Sequence, residues 1–409
     1  MLTCLFETAS AVGTVGLSLG ITPELNLLSR VVLILLMFLE ALLSPALSYW
    51  SGRQRFEYRY RILVCVTILQ ALMNPIASLV LIRMNGGTAM MRILGIVGVQ
   101  ICICVPIIVF QFCKGKEFFS KEYWGYALRI GIPIVPHYLS GIILNQGDRI
   151  MIDKMVGKTE VALYGLAYSI GMLVQLFISG MNSALTPWMY SKIKKGDIRS
   201  MRKVLQLLSV VVVGIAVALM LISPELVLIF GSPKYREAVY VIPPVAASVF
   251  FIFIYNILSM PQFYYEKTQF LMAASMAAAG ANVVLNFIFI RLFGYIAAGY
   301  TTLACYMLYS VGHYIVSKRI LVNEGIQENL MSPGFLVACS VFLIGASIIC
   351  NLIFPYRILR YAILLASAGW SSGRKNFCRR RWRIFGKNKK VGEDLKRMFR
   401  DSPFLRVFS

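Results

Sequence analysis

Residues 123–149 read YWGYALRIGIPIVPHYLSGIILNQGDR, and this stretch indicates the kind of protein. It is mainly apolar over about 20 residues, the length of helix that crosses the roughly 30 Å hydrocarbon layer of a membrane. Similar apolar runs recur on both sides of it over nearly the whole chain. Because a single buried core cannot explain that repetition, the pattern predicts an all-α, polytopic membrane protein.

The composition of the 409-residue chain agrees with this prediction. It is 58% hydrophobic and 14% charged, with a mean hydropathy of +0.72, which is too apolar for a soluble domain. Ten transmembrane spans can be drawn, and a shorter run at residues 361–370 is a candidate eleventh. The ten lie at residues 31–50, 62–82, 93–112, 124–144, 161–190, 204–222, 240–260, 270–290, 295–316 and 334–354.

The net charge of +23 raises the question of nucleic-acid binding, but the positions of the basic residues argue against it. Most Lys and Arg residues lie in short gaps between apolar runs or after residue 370, and alternate gaps hold sixteen against ten. The positive-inside rule therefore assigns the richer side, and the basic tail 371–409, to the cytoplasm. That tail either stays solvated or contacts anionic lipid headgroups. We expect no nucleic-acid partner.

Catalytic signatures are missing from the sequence. It shows no zinc-binding His pair, no phosphate-binding Gly-Lys loop and no nucleophile elbow. Most of the nine cysteines lie in apolar runs without metal-ligand spacing. We therefore expect a protein that is not an enzyme and needs no metal or cofactor.

The span at residues 124–144 is the most unusual of the ten. Pro133 and Pro136 each remove a backbone donor, so we expect a hinge at which this helix is bent or locally opened. Its polar residues point to a water-filled cavity, because a charge facing lipid costs at least about 2.5 kcal/mol. Snorkelling of Arg129 to the membrane surface is the alternative. These polar residues are Arg129, His137, Asn145, Gln146, Asp148 and Arg149.

Several motifs carry a resemblance to a known family. Residues 123–133 (YWGYALRIGIP), 145–157 (NQGDRIMIDKMVG) and 164–168 (YGLAY), with Pro187-Trp188, resemble the polysaccharide transporter, or O-antigen flippase, family. That family belongs to the superfamily that also contains the multidrug and toxin extrusion (MATE) transporters. Residues 49–60 (YWSGRQRFEYRY) are similar to its members as well, and the resemblance covers about residues 39–361.

The resemblance implies two six-helix lobes around a central cavity. It also implies transport of polyprenyl-diphosphate-linked oligosaccharide across the bacterial cytoplasmic (inner) membrane by alternating access. Membrane lipid and other polysaccharide assembly proteins are the further partners it implies. We expect Arg129 to contact the anionic headgroup, and Asp148 and Arg149 to pair with each other or to cap a helix. The candidate substrate-binding residues are Arg129, His137, Gln146, Asp148, Arg149 and Lys154.

The start of the chain departs from this family. Residues 6–23 (FETASAVGTVGLSLGITP) resemble the last pore loop of Trk/Ktr potassium transporters, and the similarity extends over about residues 5–38. Thr14, Val15 and Gly16 match its ion filter, but one loop cannot form a ring of about four. Only three spans precede the Pro-rich helix, where a complete lobe has six.

These features predict a four-part chain. The parts are a pore-loop fragment (1–38), a partial N-lobe (39–118), a C-lobe (119–370) and the tail (371–409), which make an incomplete two-lobe bundle. A potassium transporter subunit and an inactive fusion product are the alternative functions.

Overall fold

The structure is a computed structural model that describes residues 27–84, 89–115, 119–231 and 233–364. Throughout these residues the regular structure is helical. The helices are α1 (Leu27–Phe56), α2 (Tyr60–Met84), α3 (Ala89–Gly115), α4 (Lys121–Met155), α5 (Lys158–Gly171), α6 (Leu173–Lys194), α7 (Ile198–Phe230), α8 (Ile242–Tyr264), α9 (Thr268–Phe293), α10 (Ile296–Asn323) and α11 (Pro333–Ile353). A 3-10 helix, Pro233–Val241, connects α7 to α8, and residues 357–364 are again helical.

The helices confirm the all-α polytopic class. In the described ranges, eight are long and apolar enough to cross a membrane, or nine if α5 and α6 form one bent span. Each of the ten spans expected from the sequence falls on a helix, although α10 is not among the eight. Polar residues such as Thr301, Thr302 and His313 lower the hydropathy of α10. The candidate eleventh span lies mostly outside the described residues.

The expected single span at residues 161–190 is instead two helices. Helices α5 and α6 meet at Met172 with a bend of 40°. Gly171 lies at this bend, and a Cβ added there would stand only 2.7 Å from Cγ1 of Val245 in α8. The close approach requires a glycine, and it brings the bend against the adjacent helix.

The first of two compact units contains α1, α2 and α3. Helix α3 packs against both α1 and α2. A Cβ added to Gly95 would lie 2.7 Å from the backbone of Ser78, so α2 and α3 touch through their main chains. Gln70 donates a hydrogen bond to Gln100 at 2.8 Å across the same pair. Small residues and side-chain amides join membrane helices in this way.

The second unit, from Gly125 onward, is built around α8. Eighteen of the 23 residues of α8 are buried, and α6, α7, α10 and α11 pack against it. Helix α8 is apolar on all sides, which is the pattern of a central helix. Arg202 near the start of α7 donates to the carbonyl of Asn329 at 2.6 Å. The α6–α7 turn and the α10–α11 loop therefore lie at the same end of this unit, as an alternating up-and-down order requires.

The start of α7 is fixed by its capping residue, Asp197. Its carboxylate accepts hydrogen bonds from the Lys192 ammonium at 2.9 Å and from the Ser200 backbone at 3.4 Å. Partial burial acts to raise the pKa of Asp197, but these hydrogen bonds outweigh it and hold the pKa below its usual value. The charged carboxylate also suits the positive end of the helix dipole.

Helix α4 is the longest helix, with 35 residues and a length of about 50 Å. The expected local opening at Pro133 and Pro136 is not observed, because the helix is continuous through both prolines. Its buried residues form one narrow stripe at four-residue spacing on the half that follows residue 139. They are Ser140, Leu144, Asp148, Arg149 and Ile152. The hinge role of the two prolines stays a prediction.

Candidate functional site

Asp148 is the centre of a polar cluster inside the second unit. The side chain is fully buried, and its two carboxylate oxygens accept three hydrogen bonds from neutral donors. Tyr164 Oη donates at 2.6 Å, while Thr302 Oγ1 and Asn286 Nδ2 each donate at 2.5 Å. Helices α5, α9 and α10 thus converge on one acidic group of α4.

The cluster extends beyond the first three donors. Asn286 also donates to Asn282 Oδ1 at 3.2 Å and accepts a hydrogen bond from Thr301. The two asparagines are four residues apart on α9, so they share one face of that helix. Asn282 Nδ2 is buried without a hydrogen-bond partner. The site is therefore rich in side-chain oxygen atoms from α4, α5, α9 and α10.

The expected pairing of Asp148 with Arg149 is wrong. The described residues place no Lys or Arg nitrogen within salt-bridge distance of Asp148, and Arg149 instead lies over the ring of Tyr168 at 5.3 Å. Consecutive residues of a helix point about 100° apart, so adjacent charges seldom meet. Asp148 is consequently a buried acid surrounded only by neutral groups.

Arg149 is a second buried charged group. Its side chain is 8% exposed, its Nη1 lies 3.5 Å from Gln146 Oε1, and its Nε is buried without a partner. Neighbouring Asn145 accepts hydrogen bonds from Tyr168 at 2.7 Å and from Tyr306 at 3.3 Å. Donors of the Arg149 guanidinium are thus available for an anion.

The remaining predicted residues of α4 are spread along the helix. Arg129 and Lys154 are exposed, whereas His137 is half-buried and contacts Ser275 and Tyr309. The structure thus groups Gln146, Asp148 and Arg149 within one helical turn, with His137 about two to three turns away and Arg129 further along. Thr14, Val15 and Gly16 lie outside the described residues.

Several residues of the cluster were not predicted as site residues. Tyr164, Thr302 and Asn286 come from three other helices, and Thr302 is 154 positions from Asp148. Asn282 and Asn286 lie four residues apart in an apolar run, and this spacing is the signal that could have placed them beside the acid.

Comparison with known proteins finds two family profiles and a solved structure that this chain is similar to. The profile described as Polysaccharide biosynthesis protein matches residues 5–194, and the MatE profile matches residues 133–288. A crystal structure of a mutant MATE protein has the same fold, with a TM-score of 0.50 and 15% identity, over 64% of this chain and 62% of that one. The two profile matches together support a polysaccharide/MATE-type flippase family for residues 5–288. The resemblance seen in the sequence motifs is confirmed.

Two curated relatives of this chain come from Haemophilus influenzae. It is 28% identical over 172 residues to the Lsg locus protein 1, and 29% identical over 167 residues to an uncharacterized membrane protein. These alignments cover 39% and 38% of this chain and 41% and 40% of the two relatives. The chain therefore spans about two fifths of the length of the curated relatives it matches.

The profile match also bears on the start of the chain. The polysaccharide profile begins at residue 5, so its match runs across the segment 5–38 that resembles a Trk/Ktr pore loop. That resemblance stays a prediction, as do the four domain boundaries. The candidate spans and the two profile matches support a multi-pass membrane protein.

Proposed function

We propose that the chain moves polyprenyl-diphosphate-linked oligosaccharide from the cytoplasmic to the outer leaflet of the bacterial inner membrane. The observation that carries this proposal is the match of the polysaccharide profile to residues 5–194, which include the whole of α4. Alternating access is the transport mode, with α4 as the helix that changes position. In this role Pro133 and Pro136 are its hinge, and the basic tail 371–409 lies in the cytoplasm.

The cations of α4 suit a diphosphate headgroup. Arg149 keeps donors free inside the bundle, and Arg129 and Lys154 add exposed charge along the same helix. A guanidinium can bind a phosphate through two parallel hydrogen bonds, which are stronger than those between neutral groups. His137 and Gln146 complete the proposed substrate-binding set together with Asp148.

Asp148 provides a way to couple transport to an ion gradient. A buried carboxylate without a positive partner is unfavourable within a membrane unless it takes up a proton or another cation. The surrounding oxygens of Thr301, Thr302, Asn282 and Asn286 suit a small hard cation such as sodium. We therefore assign Asp148 as the position at which a proton or a sodium ion binds and changes how α4 packs.

The attachment of α4 supports its role as the moving helix. It is held to α5, α9 and α10 mainly by the polar contacts of Asn145 and Asp148, and Tyr126 adds a 2.5 Å hydrogen bond to Glu266. A helix held by a few polar contacts can exchange these contacts for others in a second conformation. The apolar residues that pack around α8 cannot be rearranged as easily. The potassium-transporter alternative rests on residues 14–16, and nothing in the described residues favours it.

Arg129→Ala tests the proposed headgroup contact. In vesicles that hold the purified chain and a fluorescent polyprenyl-diphosphate oligosaccharide, we expect the flipping rate to fall roughly tenfold, because one charge-assisted hydrogen bond is lost. Arg129→Lys should retain part of the rate. The matched control is Lys121→Ala, which removes another exposed cation of α4 and should leave the rate unchanged. Flipping by Arg129→Ala at the wild-type rate contradicts the role given to Arg129.

A further inference from the structure

The two histidines of the chain lie together, although 176 positions separate them in the sequence. The ring centroids of His137 in α4 and His313 in α10 are 6.5 Å apart, in an edge-on arrangement. This pair is well separated along α4 from Asp148, and the coupling proposed above does not use it. The surroundings of the two imidazoles differ in a way that decides which of them can carry a charge.

The contacts of His137 favour a proton on its Nδ1 atom. Ser275 Oγ lies 2.5 Å from His137 Nδ1, and the Ser275 hydroxyl donates to the Leu271 carbonyl at 2.7 Å. In that arrangement Ser275 accepts from His137. Tyr309 Oη lies 2.9 Å from the same Nδ1 and can donate its single hydrogen to Ser275 at 2.7 Å. With Nδ1 as a donor, His137 can gain a second proton on Nε2 without breaking any of these bonds.

His313 is placed in the opposite way. It is fully buried, its Nδ1 lies 2.8 Å from the Gln262 side-chain amide, and its Nε2 has no partner. A charged His313 would need an acceptor at both nitrogens, but its Nδ1 faces the Gln262 amide nitrogen, which is a donor, and its Nε2 has no partner. His313 therefore stays neutral. A proton on His137 would also disfavour a second proton on His313, because the two ring centroids are only 6.5 Å apart.

No carboxylate, Lys or Arg contacts either imidazole in the part of the chain that the structure describes. The groups that face them are aromatic: Tyr138 on α4, Tyr255 and Phe263 on α8, and Tyr309 on α10. Helix α9 contributes Ser275. The faces of such rings attract cations, so they tolerate a charged imidazole that has no acid beside it.

We propose that His137 is a second proton-binding site, which fastens the middle of α4 to α9 and α10. Protonation makes the bond from His137 to Ser275 charge-assisted and therefore stronger. The half of α4 that precedes Ser140 contains no buried residue. Among the described residues, its side-chain hydrogen bonds to other helices and turns of the unit come from His137 and from Tyr126, which bonds to Glu266. Low pH thus holds this half of α4 in place, and higher pH loosens it.

Nitrogen NMR of the imidazoles tests this inference directly and does not depend on any transport activity. The full chain, free of a histidine tag, is labelled with ¹⁵N-histidine and placed in lipid nanodiscs, so that two residues give all the imidazole signals. Between pH 8 and pH 4 we expect one residue to gain a proton on Nε2 and the other to remain neutral. His137→Gln should remove the titrating signal, whereas His313→Gln should retain it.

Ser275→Ala provides a milder variant that leaves both histidines in place. Loss of the acceptor should move the titration of His137 about one pH unit lower, which corresponds to one charge-assisted hydrogen bond. The inference is overturned if neither imidazole is protonated by pH 4, if both are, or if the titrating signal survives in His137→Gln. Failure of oligosaccharide flipping with an intact His137 titration would instead count against the proposed function alone.

Discussion

Replacing Asp148 with Asn is expected to lower gradient-driven flipping by roughly 70-fold, because it removes the carboxylate that is proposed to bind the coupling cation in the polar cluster. A charged side chain inside a membrane costs at least about 2.5 kcal/mol. A cation bound to Asp148 removes this cost, and the free energy released shifts the equilibrium between the two conformations. Asn keeps the size of the side chain and can still accept from Tyr164 and Thr302, but its amide nitrogen replaces the oxygen that accepts from Asn286. Thermal unfolding of the variant therefore separates a loss of coupling from a loss of stability. The rate is measured in vesicles with an imposed proton or sodium gradient.

Asp153→Asn is the matched control for this change. Asp153 lies five positions further along the same helix and is exposed, so its charge is already hydrated. We expect this variant to flip substrate at the wild-type rate under the same gradient. Equal rates for Asp148→Asn and Asp153→Asn would show that Asp148 does not couple the gradient to transport.

Arg360→Ala is expected to reduce the free energy of unfolding by about 3 kcal/mol, since it breaks a largely buried ion pair. The Arg360 side chain donates to both oxygens of Glu225 at 2.9 Å each and to the Leu221 carbonyl at 2.9 Å. Arg360 is 2% exposed, and Glu225 keeps some access to water, which moderates the loss. This contact fixes the helical residues 357–364 to the end of α7.

Thermal unfolding of the purified chain in detergent measures this effect. The control is Arg357→Ala, because Arg357 lies three residues earlier and is exposed. We expect the control to melt close to the wild-type temperature and Arg360→Ala to melt clearly lower. If the two variants unfold at the same temperature, the Arg360–Glu225 pair does not stabilise the unit.

The transmembrane helices could be predicted from the sequence because apolar length is a local property. The ten expected spans fall on helices. The differences are at the ends, apart from residues 161–190, which form the two helices α5 and α6. Helix α4 continues to Met155, eleven residues beyond the expected end at 144, since its polar residues Asn145 to Arg149 are covered by other helices and not by lipid. A span predicted from hydropathy alone ends at the first polar residues, even where the helix itself continues.

The partners of the polar residues could not be predicted, because they come from distant positions in the chain. Asp148 was expected beside Arg149, yet it binds Tyr164, Asn286 and Thr302. Arg360 lies in a gap between apolar runs, where charge counting treats it as a loop cation, but it is a buried member of an ion pair. Charge counting treats every Arg alike, and only the packing of α7 separates Arg360 from the exposed Arg357.

The central claim is tested most directly by flipping with the purified wild-type chain as the only protein in the vesicles. A fluorescent oligosaccharide on polyprenyl diphosphate is placed in both leaflets, and the fraction open to an added quencher is followed over time. The account predicts net movement that depends on a proton or sodium gradient and is faster than in protein-free vesicles. Equal rates with and without the protein, under both gradients, would contradict it.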